Sequence, residues 1–212
     1  MNEPKRNRNS LIYVILLAVL AGGFGVYLFE STPRKVAAVV PSTDVNPAKI
    51  EGFKKFATGP LAAFLVKAER TAVPNLSFRD AQGAEVKLDK WRGRVVLLNL
   101  WATWCAPCRK EMPALAGLQK QLGSPDFEVV ALSIDRKGIA ASAAFLKETG
   151  AENLGLYVDE TTKALADLQA LGLPVTVLID RKGREIGRLL GPAEWNSAEA
   201  VALIKAAVAE AP

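Results

Sequence analysis

The reactive side chains of this sequence are concentrated in its two cysteines, Cys105 and Cys108, which lie three residues apart. The apolar run 95–100 before them is typical of a buried central strand, and apolar residues at steps of three and four predict a helix over 105–121. Backbone N–H groups and the helix dipole favour an anion at such a junction, so a thiolate at Cys105 is stabilised there. The spacing predicts thiol–disulfide exchange: Cys105 attacks a substrate disulfide, and Cys108 then attacks the Cys105 sulfur and releases the reduced substrate.

Two other interpretations of the cysteine pair stay open at this point. One is an inert disulfide that staples the helix start, although so small a loop contributes little stability. The other is a Cu(I) site, because two thiolates suit a soft cation. A four-coordinate zinc site cannot be completed by cysteine and histidine ligands of one chain, because the sequence has no histidine and no further cysteine.

The composition excludes several functional classes. Without histidine, the 212-residue chain has no Ser-His-Asp or Cys-His catalytic set. A hydrophobic fraction of 50% argues against a disordered chain. The net charge of +5 forms no basic tract with interleaved aromatics, so nucleic acid is not an expected partner, and we expect no cofactor and no metal. Because Ala106 and Pro107 bring no cation between the cysteines, weak thiolate stabilisation and a reducing protein are expected.

An uncharged stretch of nineteen residues, 11–29, predicts a transmembrane signal-anchor helix. At about 1.5 Å per residue it spans about 28 Å, close to the thickness of a bilayer core. Three basic residues before it against two soon after it favour residues 1–10 as a cytoplasmic tail, with the domain outside. The alternative is a signal peptide cleaved near Ala21, which also exports the domain.

Residues 30–70 predict a periplasmic linker followed by short amphipathic helices. Prolines with Ser and Thr between them are typical of a tether. From Ala48 to Arg70 apolar residues recur at helical steps, and Gly59-Pro60 divides the stretch into two helices. These helices either pad the edge of the domain or dock onto a membrane or a partner.

Residues 71–212 predict one α/β domain. The order β-β-β-α-β-α-β-α-β-β-α indicates a mixed central sheet flanked by helices in three layers. Strands are predicted at 76–79, 85–88, 95–100, 127–133, 155–158, 175–180 and 185–190, and helices at 105–121, 138–149, 161–169 and after the N-cap Ser197.

The segment Gly93–Pro113, GRVVLLNLWATWCAPCRKEMP, resembles the TlpA/ResA/DsbE group of thioredoxin-like proteins. The resemblance runs from about residue 73 to the end of the chain and is greatest to the membrane-anchored TlpA branch, which the tail GPAEW at 191–195 also fits. It implies a thioredoxin fold in which Cys105 is the exposed nucleophile and Cys108 the resolving thiol.

Further positions take their meaning from this resemblance. At Pro174, before a strand, the fold places a cis-proline facing the disulfide, whereas the sequence alone favours the commoner trans bond. Glu111, one turn after the second cysteine, either exchanges protons with the thiols or only complements the helix dipole. Thioredoxins proper have a buried Asp where this chain has Asn99, so a proton relay must use Glu111 or water. Trp101 and Trp104 either shield the site or pack in the core.

The resemblance implies a thiol–disulfide reductase anchored by a single pass in the inner membrane, with its domain in the periplasm. The implied substrates are oxidised cysteine pairs of copper-handling proteins in cytochrome oxidase biogenesis. The alternatives are reduction of apocytochrome c in cytochrome c maturation and, from another class, a Cu(I)-binding metallochaperone. The cytochrome c branch usually has Glu-Thr after its cis-proline, where this chain has Val175-Thr176. Since the compartment is oxidising, a membrane thiol reductant is the expected electron donor.

Overall fold

An eight-stranded mixed sheet is the frame of residues 47–211, the part of the chain that the computed structural model describes. The predicted membrane segment 11–29 and most of the predicted linker lie outside these residues. Within 47–211, no helix combines the length and the apolar character that crossing a bilayer requires.

The strands follow the chain from one edge hairpin segment to a second hairpin. They are β1 (Leu65–Val66), β2 (Ser77–Asp80), β3 (Glu85–Lys87), β4 (Val95–Trp101), β5 (Phe127–Ser133), β6 (Tyr157–Val158), β7 (Val175–Ile179) and β8 (Glu185–Leu190). Their order in the sheet is β1-β8-β7-β4-β5-β6-β2-β3. The β4–β5 and β5–β6 pairs are parallel and the others antiparallel. The mixed sheet is therefore as predicted.

Helices cover both faces of this sheet. They are α1 (Pro47–Lys54), α2 (Ala106–Leu122), α3 (Gly138–Glu148), α4 (Lys163–Asp167) and α5 (Ala198–Ala209), with short 3₁₀ helices at Gly59–Leu61 and Leu88–Trp91. Every residue of β4 and of β7 is buried, which requires cover on both faces and confirms the three layers. From β2 to α5, each predicted element is present with its ends within two residues of the predicted ones.

The second amphipathic helix predicted after Gly59-Pro60 is wrong. A 3₁₀ turn is followed there by the edge strand β1, in which Leu65 pairs with Arg188 of β8. Phe64 is 3% exposed and Leu65 69% exposed, which is the alternation of a strand and not a helical stripe. The open edge of β8 supplies backbone hydrogen bonds that this segment takes in preference to its own helical ones.

Candidate active site

The two cysteines are joined in a disulfide at the N-terminus of α2. Cys105 is the N-cap residue, and its Sγ accepts a hydrogen bond from the backbone N–H of Cys108 at 3.2 Å. The two Cα atoms are 5.3 Å apart. Cys108 is fully buried, whereas Cys105 keeps an exposed fraction of 5%. The sulfur that a partner can reach is therefore that of Cys105.

The turn that leads from β4 into α2 is held by Asp135, which follows the end of β5. One oxygen, Oδ2, accepts from both the backbone N–H of Thr103, at 3.1 Å, and the Thr103 hydroxyl. The other accepts from the backbone N–H of Lys137 at 2.9 Å. Burial would raise the pKa of Asp135, but the bonds from Thr103 and Lys137 outweigh it and hold that pKa below its usual value. Sequence reasoning missed Asp135, whose signal was a carboxylate directly after a buried strand.

The cis bond at Leu173–Pro174 is confirmed. Pro174 precedes β7, whose Val175 pairs with Leu100 near the C-terminal end of β4. Because β4 and β7 are antiparallel, the start of β7 lies at the sheet end where β4 turns towards the disulfide. The carbonyl of Pro174 accepts from the backbone N–H of Gly191 at 2.9 Å, which fixes the loop before β7 to the end of β8.

Glu111 is buried on α2, surrounded by hydrogen-bond donors. It is 2% exposed, and its Oε1 accepts from Asn99 Nδ2 of β4 at 2.8 Å. Its Oε2 accepts from the backbone N–H of Ala193 and from Trp195 Nε1, each at 3.2 Å. Three elements thus converge on one carboxyl group. The sequence did not indicate Trp195, whose contact joins residues 84 positions apart.

This carboxyl group titrates near neutral pH. Burial raises the pKa of Glu111 from 4.5 to about 7, and the bonds from Asn99, Ala193 and Trp195 lower it only in part. Glu111 is the sixth residue of α2, beyond its first turn, so the interpretation as a mere complement to the helix dipole is wrong. Since it lies three residues after Cys108, on the same face of the helix, it is placed to exchange a proton with that sulfur.

The two tryptophans near the disulfide have different surroundings. Trp101 is fully buried and stacks on Phe145 with ring centroids 4.7 Å apart, so it packs in the core. Trp104, directly before Cys105, is 66% exposed. Leu171, three residues before the cis-proline, is 93% exposed. Apolar side chains therefore stand open to solvent next to both the disulfide and the cis-prolyl loop.

No group of three or more Cys, Asp, Glu or His side chains within residues 47–211 is arranged to hold a metal ion. The disulfide pair itself offers two sulfurs only, and these are bonded to each other.

Comparison with known proteins gives consistent matches over this domain. The Redoxin family model matches residues 67–204. The thiol-disulfide oxidoreductase ResA of Bacillus cereus (strain ATCC 10987 / NRS 248) is 31% identical over 187 residues, which are 88% of this chain and 90% of that protein. ResA of Bacillus subtilis (strain 168) is 32% identical over 124 residues, 58% of this chain and 68% of that protein.

Solved structures show the same fold. A crystal structure from Chlorobium tepidum, assigned as a thiol:disulfide interchange protein DsbE, superposes with a TM-score of 0.59 at 28% identity. The match covers 66% of this chain and 96% of that one. The domain thus has a thioredoxin-like fold with the cysteine pair at its usual place, the start of a helix after a central strand.

Proposed function

The chain belongs to the redoxin family and is a thiol–disulfide oxidoreductase similar to ResA, and from this premise we propose that it reduces disulfides of exported proteins. The observation that carries the direction is the buried carboxyl group of Glu111, one turn from Cys108. A cation beside the thiols would stabilise the thiolate, favour the reduced form and make the protein an oxidant. A carboxylate there does the opposite and favours electron donation.

The surroundings of Cys105 add to this direction. Ala106 and Pro107 are exposed and uncharged. The guanidinium of Arg109, the first basic residue after the pair, lies over the Phe145 ring at 4.4 Å and 3.1 Å from a Glu148 oxygen. Its charge is thus already matched, and a strongly depressed thiol pKa is not expected.

The exchange proceeds through one mixed disulfide. The thiolate of Cys105 attacks a substrate disulfide, and one substrate sulfur leaves as a thiol after taking up a proton. The thiol of Cys108 then passes its proton to the Glu111 carboxylate, and its sulfur attacks Cys105 Sγ. The second substrate sulfur leaves, so two electrons pass to the substrate and the chain ends with the Cys105–Cys108 disulfide. The cis-proline Pro174 is proposed to hold the substrate strand against this site.

The proposed substrates are cysteine pairs of copper-handling proteins in cytochrome oxidase biogenesis, which the sequence resemblance to the TlpA branch supports. Apocytochrome c is the second candidate, which the likeness to ResA and DsbE proteins favours. We further propose that residues 11–29 anchor the chain in the inner membrane with the domain in the periplasm, because this stretch is uncharged and is preceded by basic residues. A membrane thiol reductant would then regenerate the dithiol.

Trapping of mixed disulfides tests the reductase proposal. In the full chain, Cys108→Ser leaves the nucleophile without its resolving thiol, so exported proteins should accumulate bound to Cys105. Cys105→Ser is the matched control and should trap none. Mass spectrometry of the trapped partners distinguishes copper-handling proteins from apocytochrome c.

Two outcomes would contradict the proposal. One is that Cys108→Ser captures no more protein than the control does. The other is that the reduced chain fails to reduce a protein disulfide in the presence of a copper chelator, yet transfers Cu(I), as a metallochaperone would.

A further inference from the structure

Asn99 and Thr176 form a buried polar pair behind Glu111. They are directly opposite each other in the register of β4 and β7, and neither has an exposed fraction. The amide nitrogen Asn99 Nδ2 donates to Thr176 Oγ1 at 2.9 Å and to Glu111 Oε1 at 2.8 Å. Both amide hydrogens are thus used, one on each neighbour.

The pair fixes which end of the amide faces the carboxyl group. Among residues 47–211, Asn99 Oδ1 has no hydrogen-bond partner. Rotation of the amide by half a turn would move both N–H groups into this partnerless position and would turn the oxygen towards Glu111. Two buried donors would then be unsatisfied, which costs more than one unsatisfied acceptor with the donors in place. Thr176, as an acceptor for the second hydrogen, favours the observed orientation.

We propose that Asn99 and Thr176 are positioning residues that hold an N–H donor on Glu111 and thereby favour its carboxylate over its protonated form. This inference rests on the proposed exchange of a proton between Glu111 and Cys108. Its consequence is that Glu111 is ready to take that proton when Cys108 attacks. The Thr176 hydroxyl acts at one remove, through the amide.

The groups that face Glu111 all favour this effect. Asn99 approaches from β4, and the Ala193 N–H and Trp195 Nε1 approach from the segment after β8. On α2 itself the neighbouring titratable group is Cys108. Each of the three contacts is a donor, so a proton on Glu111 must displace one of them. No ionised side chain is among the causes that shift the pKa of Glu111.

The decisive measurement is the titration of Glu111 in the oxidised full-length chain, labelled with ¹³C-glutamate, in detergent micelles. Thr176→Val keeps the side-chain shape but removes the acceptor, so the amide is free to turn its oxygen to a protonated Glu111. The Glu111 midpoint should then rise by about one pH unit, a roughly tenfold change in the protonation equilibrium. Thr176→Ser keeps the hydroxyl and should titrate as the unmodified chain does.

Asn99→Leu provides a second route in case the valine variant does not fold. It removes the donor itself from an apolar strand and should raise the Glu111 midpoint at least as far. An unmoved midpoint in either folded variant overturns the inference, and so does an equal shift in Thr176→Ser. Because the disulfide form is titrated without substrate, the outcome is independent of the trapping experiment.

Discussion

Glu111 carries a negative charge in a place where few carboxylates are found. It is almost fully buried, yet each of its contacts is a neutral donor, from Asn99, Ala193 and Trp195. Neutral donors stabilise the carboxylate without the full attraction of a cation, so desolvation still dominates and the group titrates near neutral pH. Thioredoxins proper place a buried acid on the central strand, at the position of Asn99. Here the acid lies on the helix, and the strand residue supports it.

Glu111→Gln should abolish a specific pH dependence of stability. Burial raises the pKa of Glu111 from 4.5 to about 7. Between these values the folded chain retains a proton that the unfolded chain has released, so the free energy of unfolding falls as the pH rises through this window. The loss for the unmodified chain should be up to about 3 kcal/mol, and the Gln variant should lack it.

Denaturant unfolding of the oxidised chain at both ends of this pH window measures the effect. Glu152 is an exposed carboxyl group, and Glu152→Gln is the control that should leave the slope unchanged. A Gln variant at position 111 with the slope of the unmodified chain would show that another group titrates there. In the reduced chain, Glu111→Gln should also shift the pH profile of Cys105 alkylation.

The cysteine pair and the cis-proline were predictable because each is a local motif with a strong resemblance. The supporting residues were not. Asn99 meets Thr176 across 77 residues and Glu111 meets Trp195 across 84. Nothing in the local pattern of β7 marks its single hydroxyl as a partner of Asn99, since the strand reads VTVLI and a threonine there fits any sheet. Only the sheet register brings these groups together.

At the scale of elements, the alternation of strands and helices identified the layers correctly, and the error fell on the segment around β1. Apolar residues at 61, 64, 65 and 68 fit helical steps, but they do not form one stripe. Leu61 and Phe64 are buried, whereas Leu65 faces solvent. The backbone of Lys67 donates to Ile186 of β8 at 2.9 Å. Pairing with a distant strand outweighs the local periodicity, which sequence reasoning on one segment cannot weigh.

Gly187→Ala should displace β1. A Cβ at Gly187 of β8 would lie 2.6 Å from the Leu65 carbonyl oxygen and 2.7 Å from a ring carbon of Phe64. Since the neighbouring backbone cannot give way within the sheet, we expect a loss of about 1 to 3 kcal/mol in the free energy of unfolding. Hydrogen exchange at the Lys67 amide should accelerate, because its bond to β8 is weakened.

Gly52→Ala is the matched control for the same chemical change. Gly52 lies in α1, and a Cβ there would meet nothing within 4 Å. Alanine in a helix is more favourable than glycine, so this variant should gain up to about 1 kcal/mol. If both variants lost stability alike, the close approach at Gly187 would not be the reason.

At the scale of the whole domain, the reactive end and the closing contacts lie at opposite ends of the sheet. The disulfide follows the C-terminal end of β4, whereas Asp180 lies at the other end, after β7. There Arg70 binds Glu210 through two nitrogens, at 2.6 Å and 2.9 Å, and also contacts Asp180 at 3.4 Å. Its guanidinium covers the Phe53 ring of α1 at 5.2 Å. One side chain thus joins α1, the β7–β8 turn and the residue after α5.

This closure predicts that residues 47–212 fold without the preceding 46. The core extends from Phe53 to Ala207, and Arg70 ties its first helix to its last. The fragment should form the Cys105–Cys108 disulfide, and its reduced form should be alkylated at the rate of the full chain. Because the proposed anchor is residues 11–29, the fragment should remain in solution while the full chain sediments with membranes.

A second fragment, 30–212, separates the anchor from the linker and should behave as 47–212 does. A full chain that stays in solution with residues 11–29 intact would contradict the anchor. A mature chain shortened near Ala21 would instead support the cleaved signal peptide. Loss of the disulfide or of cooperative unfolding in 47–212, but not in 30–212, would show that residues 30–46 contribute to the fold, and the closure at Arg70 would then be insufficient.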